Sequence, residues 1–284
     1  MEQSHNERNR NIPLVLTVAG SDPSGGAGIQ GDIKSIQANG AFALSILTAV
    51  TAQNSVKMSA TFDLPLWVID AQLESILSDF NISAVKTGML SSKNIIEHLV
   101  RFLKKAAIPH LVVDPVMGSK DGSPLLKPSA MDTLKSDLIP LASLLTPNIP
   151  EAEALTGQKI RTITEACEAA RIITGLGCRA TLVKGGHLLE SPGCDILFDG
   201  ETITFFNGEF IDTPNTHGTG CTYSSAIATH LAFGKPLKQA ITDAKKYITE
   251  AIRHGLNIGQ GHGPTHHFYF LNPPIGKKPK DPSS

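Results

Sequence analysis

Neither sign of charge dominates this 284-residue chain: 25 Lys and Arg stand against 26 Asp and Glu, and no stretch gathers the cations on one face. That removes the electrostatic footprint of nucleic-acid or anionic-membrane binding and leaves small molecules as the expected partners. Cysteine is also sparse. Cys167, Cys178, Cys194 and Cys221 show no CxxC spacing and are too few to frame so long a chain with disulfides, which fits a reducing cytosol. Nowhere do about 18 uninterrupted apolar residues occur, and the opening MEQSHNERNRN has no apolar h-region. Neither secretion nor membrane spanning is expected, and the protein is placed in the cytoplasm.

What the sequence does contain is alternation. LVLTVAG (Leu14 to Gly20) is an apolar run of the kind that forms a buried parallel strand. A glycine-rich turn and a helix follow. The rhythm then repeats through ILTAV around Ile46, the helical pattern VIDAQLESILSDF, AVKTG, the helical pattern NIIEHLVRFLKKA, HLVVD, and a helix through Ala130 and Leu134. LASLLTP reads as a strand and Asn148 to Leu155 as a short helix. Thr162 and Glu165 form a capping box before EACEAARIITGLG, and ATLVKGG is another buried strand. Such alternation predicts βαβ crossovers and a central, mostly parallel sheet with helices on both faces. CDILFDG and ETITFF, joined around Asp199 and Gly200, have the period and turn residues of an antiparallel hairpin at the sheet edge. Helices from Thr219 and Leu237 finish the α/β fold. We expect one domain over residues 12–272, a disordered leader over 1–11 and a disordered, Pro- and Lys-rich tail over 273–284.

Two glycine loops compete for attention. Gly26, Gly28 and Gly31 spell GxGxxG between a predicted strand and a helix, the context of a dinucleotide-binding fingerprint. That reading needs an acidic residue about 20 positions on, where the sequence has TAVTAQN. Asp22 would also repel a pyrophosphate, and Pro23 removes a backbone donor. A nicotinamide or flavin enzyme is therefore disfavoured, and no GxxxxGK[ST] loop occurs. The stronger candidate is NTHGTGCTYSSAIATHLAF (Asn215 to Phe233), where a glycine-punctuated loop runs into an amphipathic helix. Orphan amides and the helix dipole suit a phosphoryl group, and Gly218 and Gly220 let the main chain approach it. Cys221 falls in the first turn, where a lowered pKa would let it act as a base toward an alcohol. Cys167 and Cys178 read as small core residues. GHGPTHH lacks the pairing of a zinc site, so His262, His266 and His267 are expected in a surface loop.

AGSDPSGGAGIQGD (Ala19 to Asp32), KTGML (Lys86 to Leu90), DPVM (Asp114 to Met117), TPNIPEAE (Thr146 to Glu153), VKGGH (Val183 to His187) and THGTGCT (Thr216 to Thr222) together resemble one family. It is the hydroxymethylpyrimidine and phosphomethylpyrimidine kinases of thiamine biosynthesis, within the ribokinase-like superfamily. The resemblance spans nearly the whole chain in order. It implies a site at the carboxyl ends of the strands and two successive phosphorylations by magnesium ATP: 4-amino-5-hydroxymethyl-2-methylpyrimidine to its monophosphate, then to the diphosphate. It implies Cys221 as general base and the loop of Gly218, Thr219, Gly220 and Cys221 as anion hole. Glu151, with Asp114, would position Mg2+; Lys184, Asn148 and Thr216 would meet the ATP phosphates. Gln53 would pair with the aminopyrimidine edge, Asp32, Gly20 and Ala27 would complete the polar side, and Met89 and Val116 would lie against the ring. Relatives imply a homodimer. Tyr223 and Gly31 depart from the residues usual in the family, which bears on pocket shape. A vitamin B6 kinase acting on pyridoxal or pyridoxine remains an alternative, and a non-catalytic vitamin sensor is the alternative of another class.

Overall fold

Neighbouring residues of a strand point to opposite faces of its sheet, and in the central strands of this protein both faces are buried. Val15, Ala84, Val112, Leu144 and Leu182 face one apolar cluster, while Leu16, Val85, Val113, Leu145 and Val183 face another. The computed structural model describes residues 12–106, 108–119, 122–186, 188 and 190–271. The leader and tail expected at 1–11 and 273–284 lie outside the described residues.

The strands are β1 (Leu14–Ala19), β2 (Phe42–Leu47), β3 (Ala49–Gln53), β4 (Met58–Asp63), β5 (Ala84–Thr87), β6 (Leu111–Val113), β7 (Leu144–Leu145), β8 (Thr181–Val183), β9 (Asp195–Phe198) and β10 (Ile203–Phe206). The helices are α1 (Gly28–Ala38), α2 (Leu66–Leu77), α3 (Lys93–Lys105), α4 (Met131–Thr133), α5 (Ile149–Thr156), α6 (Ile163–Thr174), α7 (Thr219–Ala232) and α8 (Leu237–Arg253). The main sheet has the order β10-β9-β8-β7-β6-β5-β1-β2. From β2 to β8 its ladders are parallel; β9 and β10 close the edge antiparallel, as the hairpin pattern predicted. Helices α2, α3, α5 and α6 pack on one face, and α1, α7 and α8 on the other.

Four elements differ from the sequence reading. The run after Ile46 does not end in one strand: β3 leaves the main sheet and pairs antiparallel with β4 as a separate two-stranded sheet. LASLLTP contributes only Leu144–Leu145 to the ladder. The helix through Ala130 and Leu134 is a succession of a 3-10 turn, a short α turn and a π turn over Leu134–Leu138. The predicted capping box of Thr162 with Glu165 holds, and the structure adds a second one, Asn148 with Glu151, at the start of α5. The expected amphipathic helix after Gly218 is a correction. Because α7 lies between α1, α8 and the sheet, residues from Thr222 to Thr229 are buried all round it. Its Ser and Thr hydroxyls are consequently used in the interior.

Candidate active site

The parallel strands β1, β5, β6 and β8 end on one edge, and the residues that follow them converge there, as expected at the carboxyl ends of an open α/β sheet. After β1 comes the loop from Gly20 to Ala27; after β5, Gly88 and Met89; after β6, Asp114; after β8, Lys184. The N-terminus of α7 meets the first of these loops, Gly218 lying against Gly26 and Ala27.

At that terminus Gly218 is the N-cap residue, with φ 78°. A side chain there would overlap the carbonyl oxygen of Gly26, so glycine is required both by the left-handed backbone and by the contact between the two glycine loops. The Gly28 N–H, at the head of α1, is directed at the Cys221 thiol. A Cβ on Gly220 would sit 3.3 Å from Lys184 Nζ and 3.7 Å from Asp114 Oδ2, so these two charges lie directly against the loop.

The charges form one linked set. Lys184 Nζ donates to Asp114 Oδ1 at 2.9 Å, and Asp114 also accepts from Thr146 Oγ1 at 3.2 Å and Ser224 Oγ at 3.2 Å. An isolated parallel bridge sets Asn148 beside Lys184, and the capping box holds Glu151 Oε2 on the Asn148 N–H at 2.8 Å. Burial works against the ammonium of Lys184, but Asp114 and Glu151 raise its pKa above the lysine range. Burial would raise Asp114, and Lys184 and Lys86 bring it below the carboxylate range instead. Glu151 is pushed up to about 7 by burial, with Asp114 adding and Lys184 opposing.

Cys221 is a correction to the sequence reading. Position at a helix N-terminus predicts a lowered pKa, yet burial pushes the thiol up to about 11; Lys86 pulls it down while Asp32 and Asp114 push it further up. In the ligand-free protein the thiol keeps its proton.

Of the residues expected around a substrate ring, Gly20 and Met89 are in contact, since a Cβ on Gly20 would lie 3.0 Å from Met89 Sδ. Ala27 is the N-cap of α1, and its amide is taken by Asp22 Oδ2 at 2.8 Å. Gln53 is half-buried at the irregular end of β3, a strand pinned to the glycine loop where Thr51 meets Ser21. Val116 is half-buried two residues beyond Asp114. Asp32 does not line the site. Its carboxylate is fully buried and accepts from Thr17 Oγ1, Lys86 Nζ and Ser225 Oγ, so it lies one layer below, under α7. Thr216 precedes α7, its carbonyl accepting from Thr219 Oγ1 at 2.8 Å.

Several residues in these motifs received no role from the sequence. Lys86 is fully buried, and although burial disfavours its charge, Asp32, Cys221 and Asp114 raise its pKa above the lysine range. One charged residue inside the apolar run AVKTG was the available signal. Asp22 was read only as an obstacle to a pyrophosphate; here it accepts from the amides of Ser24 and Ala27, which explains why this GxGxxG loop has no free nest for a dinucleotide. Ser224 and Ser225 turn inward from α7 to Asp114 and Asp32, which no surface-helix pattern reveals. His267 is buried rather than in a surface loop, with Nε2 2.9 Å from Thr222 Oγ1, while His262 is exposed as expected.

The chain is similar to known proteins over nearly its whole length. The hydroxymethylpyrimidine/phosphomethylpyrimidine kinase of Haemophilus influenzae is 47% identical over 92% of this chain and 98% of its own length. The protein of the same name from Escherichia coli is 42% identical over 90% and 97%. Among solved structures, a Bacillus subtilis pyridoxal kinase in complex with ADP superposes with a TM-score of 0.85 at 38% identity, covering 92% of this chain and all of that one. A phosphomethylpyrimidine kinase from Clostridium difficile gives 0.76 at 44% identity, over 84% and 99%. These neighbours confirm the ribokinase-like fold. The family model described as phosphomethylpyrimidine kinase matches residues 22–266, and the chain belongs to that family.

Proposed function

We propose that this kinase phosphorylates the hydroxymethyl group of 4-amino-5-hydroxymethyl-2-methylpyrimidine with ATP and then adds a second phosphate to the product. The observation that carries the reading is the α7 N-terminus bearing Cys221, which meets Gly26 and Ala27 of the first glycine loop at Gly218 and Lys184 with Asp114 at Gly220. A substrate alcohol held over Gly20 and Met89 would face the thiol, and the amides of Gly218 to Cys221 would receive the phosphoryl group. Lys184, with Asn148 and Thr216, would meet the nucleotide phosphates. Gln53, Ala27 and Val116 would frame the ring; Asp32 would act from beneath, through Lys86. With the thiol at about 11, alcohol activation depends on the cations of the occupied site, Lys86 nearest among them.

Magnesium fits this residue set. Among the described residues Asp32, Asp114 and Glu151 outnumber Lys86 and Lys184, the cations set against them, a shortage of positive charge that a divalent ion would relieve; burial, with Asp114 adding, raises Glu151 to about 7. Glu151 and Asp114 would hold the ion, chiefly through water. It would neutralise charge on the transferring phosphoryl group.

The pyridoxal kinases among the structural neighbours keep a vitamin B6 alcohol as a second reading. A sensor would need neither base nor paired phosphate cations, and a binding role alone leaves Cys221 unused. We place the enzyme in the cytoplasm; among the described residues no helix is long and apolar enough to cross a membrane. A homodimer is supported by the outer face of the small sheet, where Val50 opposes Phe62 and Ala52 opposes Ala60, all four exposed.

The test is ADP release with magnesium ATP and either hydroxymethylpyrimidine or pyridoxal, with mass analysis of products. Pyrimidine mono- and diphosphate are expected. Phosphorylation of pyridoxal alone would overturn the substrate, and turnover of neither would overturn the kinase reading.

A further inference from the structure

The loop from Gly20 to Ala27 and the loop from Thr216 to Cys221 belong to opposite ends of the sequence, yet one buried contact joins them. His217 Nε2 lies 2.8 Å from Asp22 Oδ2, with His217 only 6% and Asp22 only 2% exposed. Every other acceptor direction of Asp22 is used within its own loop. Oδ1 accepts from the Ser24 amide at 2.9 Å and Ser24 Oγ at 2.7 Å, and Oδ2 from the Ala27 amide at 2.8 Å. Burial disfavours the charged carboxylate, but the hydrogen bonds from His217 and Ser24 outweigh it and hold Asp22 at about 2. On the other side, the His217 backbone is fixed by a third segment: its N–H donates to Gly263 O at 3.0 Å and its carbonyl accepts from Thr265 N at 3.3 Å. The ring is thereby aimed across the gap.

The contact sits where alignment matters. His217 immediately precedes the N-cap Gly218, and a Cβ on Gly26 would collide with the His217 ring, so the two loops are closely fitted. Across the same seam the Gly28 N–H points at Cys221. A small slide of one loop along the other would separate the thiol from that donor and shift the alcohol side of the site against the phosphate side. Misplacement by about 1 Å can lower a rate by roughly 10²-fold without changing any reacting group.

We propose that Asp22 and His217 are positioning residues for phosphoryl transfer, clasping the alcohol-side loop to the phosphate-side loop so that both halves of the site are held in register. The proposal rests on the kinase reading above. Neither side chain touches the reacting atoms; Asp22 acts through the amides of Ser24 and Ala27, and His217 acts through the start of α7.

Steady-state kinetics on His217→Ala and His217→Gln test it, because glutamine can place an amide N–H where the ring presents Nε2. His217→Ala is expected to lower kcat about 10- to 100-fold while the KM for the alcohol stays within about threefold, and His217→Gln should recover most of the loss. A His217→Ala enzyme with wild-type kcat, or a His217→Gln enzyme as slow as His217→Ala, would overturn the clasp. If His217→Ala does not fold, His217→Asn replaces it, being one methylene too short to span to Asp22. Iodoacetamide labelling of Cys221, located by peptide mass, gives a second readout that requires no turnover. Because a loosened seam admits the reagent to the half-buried thiol, which should outweigh loss of the Gly28 donor, labelling should be about tenfold faster in the alanine or asparagine variant and near wild type in the glutamine variant. Unchanged labelling in the shortened variants overturns the clasp even if the wild type proves inactive on every alcohol, a result that would by itself sink only the kinase reading.

Discussion

Lys86 Nζ lies 2.8 Å from both carboxylate oxygens of Asp32, and neither side chain is exposed at all. The pair joins β5 to α1 where α7 packs on them, with Thr17 and Ser225 completing the carboxylate. Removing one partner leaves the other as a buried uncompensated charge. We expect Asp32→Ala to cost about 3–5 kcal/mol in urea unfolding, far more than a surface carboxylate. A loss under about 1 kcal/mol would show that Lys86 finds another counter-charge or loses its proton.

Cys221 should behave as a high-pKa thiol until the site is filled. Alkylation of Cys221 in the ligand-free protein is expected to keep accelerating with pH through pH 10, since the thiolate fraction rises up to a pKa of about 11. A plateau by pH 8 would contradict the effect of burial. Cys221→Ala should lower kcat about 10²- to 10⁴-fold, the usual range for a lost general base, with little change in melting temperature.

Gly218 and Gly186 should respond oppositely to alanine. At Gly218 the positive φ and the overlap with Gly26 O act together, so Gly218→Ala should lose at least about 1–3 kcal/mol from backbone strain and most activity. Nothing lies within 4 Å of a Cβ on Gly186, so Gly186→Ala should stay within about 0.5 kcal/mol of wild type in thermal unfolding. Equal losses would show that the contact between the two glycine loops is not the cause.

In the proposed site the Gln53 amide would match an aminopyrimidine edge, which a pyridine does not offer. Gln53→Leu is expected to lower kcat/KM for hydroxymethylpyrimidine about tenfold more than for pyridoxal. Equal losses on the two rings would remove Gln53 from substrate choice.

His267 gives the fold a dependence on mild acid. Burial, with Lys34 and His266 adding, lowers its pKa from 6.5 to about 4. The folded state therefore binds the proton more weakly than the unfolded chain, so stability is complete above about pH 6.5 and declines as the pH falls toward 4. The loss should approach about 3 kcal/mol by urea unfolding, and His267→Gln should reduce it. A wild-type stability that is flat between pH 7 and 4 would contradict the burial of a neutral ring.

Much of the site was legible because its chemistry is local in sequence. The glycine-bearing loop from Asn215 runs straight into a helix, a pattern that suits an anion and can be read from adjacent residues, and Asn148 to Leu155 reads as a short helix through equally local contacts. The β-α alternation likewise specified layers, because strands buried on both faces must be near-continuously apolar. The pairing of Lys86 with Asp32 carried no comparable signal, since the two are 54 residues apart and polar in positions that patterning assigns to the core.

Sequence alone determined the family of the chain, its parallel sheet with a hairpin at one edge, and the identity of Cys221, Lys184 and Glu151 as groups worth following. Tertiary structure decided what those groups are: the burial that raises Cys221 to about 11, the inward turn of Ser224 and Ser225, the departure of β3 from the main sheet, and the contact of Asp22 with His217 across 195 residues. The division is physical. Hydrogen-bonded turns, caps and apolar periodicity act over a few neighbouring residues, whereas desolvation and pairing of buried charges depend on which distant segments the sheet edge brings together.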